Sequence, residues 1–332
     1  MSNTLTPWLA EDWQRLLARR EAGRLPHALL IGGARGLGKR LFAEHLRALL
    51  LCERPTASGT PCGSCKACHL MRAGNHPDAL TITFELRDDG KPRTEITVDQ
   101  IRALSARFAQ TSQRGGWRVA IIEPAEAMNV AAANALLKTL EEPEPNVMMI
   151  LVSDQWLRLS ATIRSRCQRI DVREPEPAQS LAWLIAQGIA AKDAEPALAL
   201  ADGNPGEALV LARPEQRQIV NEVARDLGAL AGKAVLIEVV SRWLANDPGL
   251  RLRAAVQLVA QAIRRASLGA ESDADGLSGL TARADFRKLS AWWDQANRAR
   301  GQLDTPLRSD LILTEILGGW RDTVAASTNA GA

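Results

Sequence analysis

The run LLIGGARGLGKR, Leu29 to Arg40, is spaced to surround a phosphate. Gly33, Gly38 and Lys39 fit the pattern G-x-x-x-x-G-K, with Gly36 inside it. In that pattern loop amides and a helix N-terminus face phosphate oxygens, and the lysine reaches the outer phosphates. The next position calls for Ser or Thr, whose hydroxyl holds magnesium, but the residue is Arg40. A second buried strand should end in an aspartate that supports the metal and a glutamate that activates water. Val119 to Ile122 is followed instead by Glu123 and Pro124. Glu123 offers a carboxylate with one extra methylene, and proline has no proton acceptor. The expectation is a degenerate loop of Gly33, Gly36, Gly38 and Lys39 that holds ATP or ADP weakly at best and does not hydrolyse it. Lys39 itself is expected either to contact phosphate or to stand as a solvated residue at the helix start.

The second chemical pattern is local. Cys52, Cys62, Cys65 and Cys68 fall in CERPTASGTPCGSCKAC, two overlapping C-x-x-C pairs plus a fourth thiol, with Gly59, Pro61 and Gly63 supplying tight turns. Four thiolates suit a tetrahedral structural zinc ion, one per chain, with no position left open for chemistry. His69 follows Cys68 directly and is a poorer ligand candidate, because adjacent residues seldom both reach one ion. An iron–sulfur cluster and four unrelated reduced thiols are the alternatives.

Around these groups the hydrophobic periodicity alternates between strands and helices. Ala28 to Ile31, Trp117 to Ile122 and Val147 to Val152 read as buried parallel strands. Trp8 to Arg20, Leu41 to Leu51, Val98 to Phe108 with Thr97 as N-cap, and Asn129 to Glu141 ahead of Pro143 read as helices. The stretch from His76-Pro77-Asp78 through Arg87 to Arg93 reads as polar and turn-rich. After Glu174-Pro175-Glu176-Pro177 only helical patterns follow. They are broken at Gly203-Asn204-Pro205-Gly206, Gly232, Asn246 to Gly249, Gly269 to Gly279 and Gly301 to Pro306. Trp292, Trp293, Leu307, Leu311, Leu313, Ile316, Leu317 and Trp320 are read as apolar core faces rather than base-stacking platforms.

The chain of 332 residues is long enough for two or three domains, and its 46% hydrophobic and 24% charged content is ordinary for a globular protein. A net charge of +3 without clustered basic residues does not mark a nucleic-acid binder. The N-terminus lacks an apolar core of signal-peptide type, and no stretch reaches the ~18 apolar residues of a membrane span, so a cytoplasmic protein without membrane contact is expected.

ANALLKTLEEP, Ala133 to Pro143, together with IRSRC, Ile163 to Cys167, and PHALLI, Pro26 to Ile31, resembles the AAA+ subunits of the bacterial DNA polymerase III clamp loader. The resemblance covers residues 7 to about 210, with the later helices agreeing in length and texture. It implies an α/β AAA+ domain over 1–170 with a zinc insert at 52–68, a small helical lid domain over 171–212 and an all-α collar domain over 213–332. Ser153 and Asp154 fall at the sensor position after the third buried strand. Arg166, in the Ser165-Arg166-Cys167 motif, corresponds to an arginine finger acting in trans on a neighbouring subunit's ATP site, with Arg164 and Arg169 as flanking competitors. A second sensor arginine belongs near Gly203 to Ala208, where Gly206 stands. Three groups acting on the chain's own site are therefore replaced, while the group acting on a neighbour is retained. The implied function is a non-hydrolysing stator in a five-membered ring with motor (gamma/tau) and delta subunits, which together place the β sliding clamp on primer-template DNA. An active motor-type ATPase using Glu123 or Glu126, and a zinc-dependent DNA-binding adaptor, are the rival readings.

Overall fold

The computed structural model describes residues 5–87, 90, 93–232, 234–267, 285–303 and 308–325. The breaks expected at 269–279 and 301–306 and the core role expected of Leu307 lie wholly or partly outside these residues. The chain divides into two units, Met1–Gln179 and Ser180–Ala332.

The first unit is built on a five-stranded parallel sheet: β1 (Ala28–Gly32), β2 (Ala79–Ile82), β3 (Arg118–Ile122), β4 (Val147–Ser153) and β5 (Gln168–Asp171), in the order β2-β3-β4-β1-β5. Every residue of β1 and β4 is buried. Continuous burial is what a parallel sheet covered on both faces requires, and alternate side chains separate the two cores. Leu29 and Ile31 join Ile121, Ile150 and Val152 against Trp13 and Leu16 of α1 (Ala10–Glu21) and Phe42 and Leu46 of α2 (Lys39–Leu51). Ala28 and Leu30 join Ile122, Met149 and Leu151 on the other face. They pack there against Ile101, Leu104 and Phe108 of α4 (Val98–Phe108) and Leu136 and Leu140 of α5 (Val130–Glu141). The short α3 (Lys66–Arg72) lies beyond α2, and α6 (Ala161–Arg166) precedes β5.

Helix starts coincide with side-chain acceptors. Gln100 Oε1 accepts the Thr97 backbone N–H at 2.9 Å ahead of α4, and Asn129 Oδ1 accepts the Ala132 N–H at 2.9 Å ahead of α5. Asn129→Ala should cost about 1 kcal/mol of stability by orphaning that donor, visible as a lowered midpoint in urea denaturation. Two strands depart from expectation. The stretch read as turn-rich contains β2, and β5 follows α6 without having been expected. Both lie at the edges of the sheet with only four residues each, so neither carries a long apolar run.

The second unit is helical throughout its described residues. It opens inside α7 (Pro177–Ala186) and continues through α8 (Ala191–Leu200), α9 (Pro205–Leu211), α10 (Pro214–Leu230), α11 (Leu236–Ala245), α12 (Pro248–Ser267), α13 (Phe286–Leu303) and α14 (Ser309–Ala325). Leu184, Leu198, Ala208 and Leu211 form one small core; Val223, Leu227, Trp243, Val259, Trp292 and Trp320 belong to a larger one. Trp292 and Trp320 meet edge to face at 5.1 Å, and their indole N–H groups donate to Ile316 O and Leu227 O at 2.8 and 2.9 Å. Both rings are buried, so they serve packing, not stacking with bases. Trp293 packs on the same core half-buried, whereas Leu311 points outward. No helix among the described residues is long and apolar enough to cross a membrane.

Candidate functional site

β1 delivers the chain to Gly33 at the carboxyl edge of the sheet, where parallel α/β proteins bind ligands. The loop to α2 has the backbone of a phosphate cradle. A side chain at Gly33 would drive its Cβ to 2.2 Å from the Val172 carbonyl oxygen, and Gly38 caps α2 in the left-handed region at φ +85°. Trp8 braces the loop through its indole N–H, which donates to Leu37 O at 2.9 Å.

The side chains on this cradle are already engaged with each other. Lys39 is 3% exposed; its ammonium donates to Ala34 O at 2.6 Å and pairs with Asp154 Oδ1 at 2.6 Å. The expectation of a solvated helix-start lysine is thereby corrected: the residue turns inward because Asp154, one residue past β4, meets it there. Arg40 Nε lies 3.3 Å from Glu123 Oε2. Burial pushes the Glu123 carboxyl above its ordinary range, while the Arg40 guanidinium works against that rise. Glu126 does not point a free carboxylate at the loop: its Oε1 accepts the backbone N–H groups of Asp154 and Gln155 at 3.0 and 3.2 Å. Magnesium-bound triphosphate does not fit this arrangement. The lysine is neutralised, position 40 has no hydroxyl, and the one acid at the end of β3 is held by a guanidinium.

Ser153, at the end of β4, pairs with Gly32 of β1 and is buried. Arg166 ends α6 with its side chain 34% exposed; Nη2 lies 2.6 Å from Glu141 Oε1, and Nη1 donates to Thr162 O at 3.0 Å. Its neighbours are committed elsewhere. Arg164 and Arg169 stack on the Trp156 ring at 5.5 and 4.4 Å, and Arg169 also pairs with Asp171 at 2.6 Å. Gly206 is the second residue of α9 and belongs to the second unit. Sequence reasoning missed the Asp154 partnership; its signal is an acid directly after the strand that adjoins β1.

The four cysteines converge. Their Sγ atoms lie within 4.8 Å of one another, with Cys52–Cys65 at 3.9 Å, Cys62–Cys68 at 4.0 Å and Cys52–Cys68 at 3.7 Å. A tetrahedral ion with metal–sulfur bonds of ~2.3 Å sets its ligands ~3.8 Å apart, so the donor set fits one metal ion. Backbone N–H groups of Cys62, Cys65 and Cys68 point at the sulfurs of Cys52, Cys62 and Cys65 at 3.2, 3.3 and 3.4 Å. N–H donation pulls the Cys62 thiol down to about 6, whereas burial among the other sulfurs pushes Cys68 up to about 12. Only a cation lets all four ionise together. His69 is exposed and outside the converging set. The turn that returns Cys62 to Cys52 rests on Gly59, where a Cβ would meet the Leu17 side chain at 2.4 Å.

Comparison with known proteins gives a consistent result. The family described as DNA polymerase III, delta subunit, matches residues 9–176. DNA polymerase III subunit delta' of Pseudomonas aeruginosa is 44% identical over 226 residues, 66% of each chain. The Escherichia coli subunit of the same name is 32% identical over 319 residues, covering 94% of this chain and 93% of that one. Among solved structures, a gamma subunit-related protein of DNA polymerase III from Thermotoga maritima superposes with a TM-score of 0.49 at 18% identity, covering 92% of this chain and 98% of that one. With a family model spanning half the chain and the E. coli subunit aligned along nearly all of it, the chain belongs to the DNA polymerase III delta-prime subunit family.

Proposed function

We propose that this chain is the non-hydrolysing stator of a DNA polymerase III clamp loader. The observation that carries the reading is an asymmetry of charge. The chain keeps the backbone of a phosphate loop yet turns Lys39 and Arg40 onto Asp154 and Glu123 of that same site, while Arg166 stands partly exposed at a helix end, paired with the partly exposed Glu141. Residues 1–170 act as the AAA+ domain, 171–212 as its lid and 213–332 as the collar through which the ring assembles. The strand order β2-β3-β4-β1-β5 and the AAA+ motifs support the first assignment, and the second unit, helical throughout its described residues, supports the other two.

In the assembled ring Arg166 leaves Glu141 for the ATP site of the adjacent motor subunit. There its guanidinium neutralises charge developing on the transferred phosphoryl group. Motor (gamma/tau) and delta subunits are the direct partners, and the β sliding clamp and primer-template DNA are engaged through the complex in the cytoplasm. The cysteine cluster holds one structural zinc ion, which stiffens the insert at 52–68 and takes no part in chemistry.

The test is ATP hydrolysis by the purified chain, alone and mixed with the remaining loader subunits, clamp and primed DNA. No turnover alone and restored clamp- and DNA-stimulated turnover in the mixture are expected. Magnesium-dependent turnover by the isolated chain would make it a motor. Tight, salt-sensitive binding of primer-template by the isolated chain would make it a DNA adaptor instead.

A further inference from the structure

The four charged groups around the phosphate loop form two ion pairs with a specific correspondence to what the loop would otherwise hold. Lysine in this motif contacts the outer phosphates, and the following hydroxyl and the acid on the next strand support the metal. In this chain the lysine contact is taken by an anion, the Asp154 carboxylate at 2.6 Å, in place of phosphate. The acid's contact is taken by a cation, the Arg40 guanidinium at 3.3 Å from Glu123, in place of magnesium. We infer that Asp154 and Arg40 are an internal substitute for metal-bound phosphate, and that Asp154 alone bars the loop to the diphosphate of a nucleotide. The inference deepens the stator reading and rests on it.

Lys39 is buried, so its charge needs an anionic partner, and Asp154 fills that place at 2.6 Å. Asp154 is held in place from behind, because Glu126 accepts its backbone N–H and that of Gln155. The loop amides, the left-handed Gly38 and the start of α2 remain built for phosphate oxygens. Arg40 is the more exposed member of its pair and sits one residue from the lysine, so it can turn from Glu123 to a phosphate oxygen and do the metal's neutralising work. Removing the Asp154 charge therefore opens a site for ADP that requires no magnesium.

The experiment is titration of the full-length chain with a fluorescent ADP, in magnesium and separately in EDTA, comparing wild type with Asp154→Asn and Asp154→Ser. Expected are negligible binding by wild type and binding at least about tenfold tighter by both variants, equal in the two buffers. Each variant should also melt lower than wild type and be returned toward it by ADP, because the ligand re-pairs Lys39. Arg40→Thr added to Asp154→Asn should make the binding magnesium-dependent. Equal binding by wild type and variants, folded variants that bind no ADP, or variant binding that needs magnesium would each overturn the inference. Such a failure with Arg166-dependent loader activity intact leaves the stator reading standing, whereas ATP turnover by the wild-type chain alone defeats that reading itself.

Discussion

Arg166→Ala is expected to leave the chain folded and assembled while lowering ATP turnover at the neighbouring site that Arg166 is proposed to complete by about 10³-fold or more, the range for removing an arginine finger. The side chain's own contribution to folding is small. Its pair with Glu141 joins two partly exposed groups, and such pairs are worth up to ~1 kcal/mol. A large loss of turnover cannot then be assigned to a damaged fold. Arg166→Lys should rescue poorly, because an ammonium lacks the planar fork that reaches two phosphoryl oxygens at once. Glu141→Gln should leave turnover near wild type, since it removes only the resting partner. Measured in the reconstituted loader with clamp and primed DNA, unchanged turnover by Arg166→Ala would reduce Arg166 to a surface ion pair.

What could be read from the sequence follows from how local each feature is. β1, β3 and β4 stand out because burial on both faces demands unbroken apolar runs such as Val147 to Val152. The ends of α4 and α5 were visible in Thr97 and Asn129, and the loop in its glycines. β2 and β5 escaped because an edge strand of four residues needs only a few apolar side chains, and Thr81 and Arg169 face outward within them. The state of Lys39 was illegible for a different reason. Its partner Asp154 is more than a hundred residues away, and the two meet only because β4 adjoins β1. Sequence spacing alone left the lysine solvated or on phosphate, and the strand order decides against the first. The cysteines lie between these cases: Cys62, Cys65 and Cys68 are one local motif, but Cys52 joins them through the turn at Thr56–Thr60, where the Thr56 N–H donates to Thr60 O at 2.9 Å.

That turn makes the cluster the feature most sensitive to a single atom. Cys65→Ser should lower bound metal from about one ion per chain to under roughly a tenth after dialysis against a chelator, because three thiolates and a hydroxyl do not close the tetrahedron. Cys65 is buried and its sulfur also accepts the Cys68 N–H at the start of α3; a serine hydroxyl keeps that helix cap, so the variant loses the ligand and not the helix start. The consequence is local. The cluster forms a core of its own, apart from the two that cover the sheet. It is tied to the domain by the Glu53–Arg114 pair, by Gly59 against Leu17, and by Met71 of α3, which packs on the core beneath α2. Protease cleavage should therefore appear between Cys52 and Cys65 while the sheet's unfolding transition is retained. Metal identity is read in the same preparation: zinc is silent in the visible spectrum, whereas an iron–sulfur cluster absorbs there. Less than half an equivalent of metal in wild-type protein purified without chelator would remove the ion from the account and leave four thiols held together by N–H donation alone.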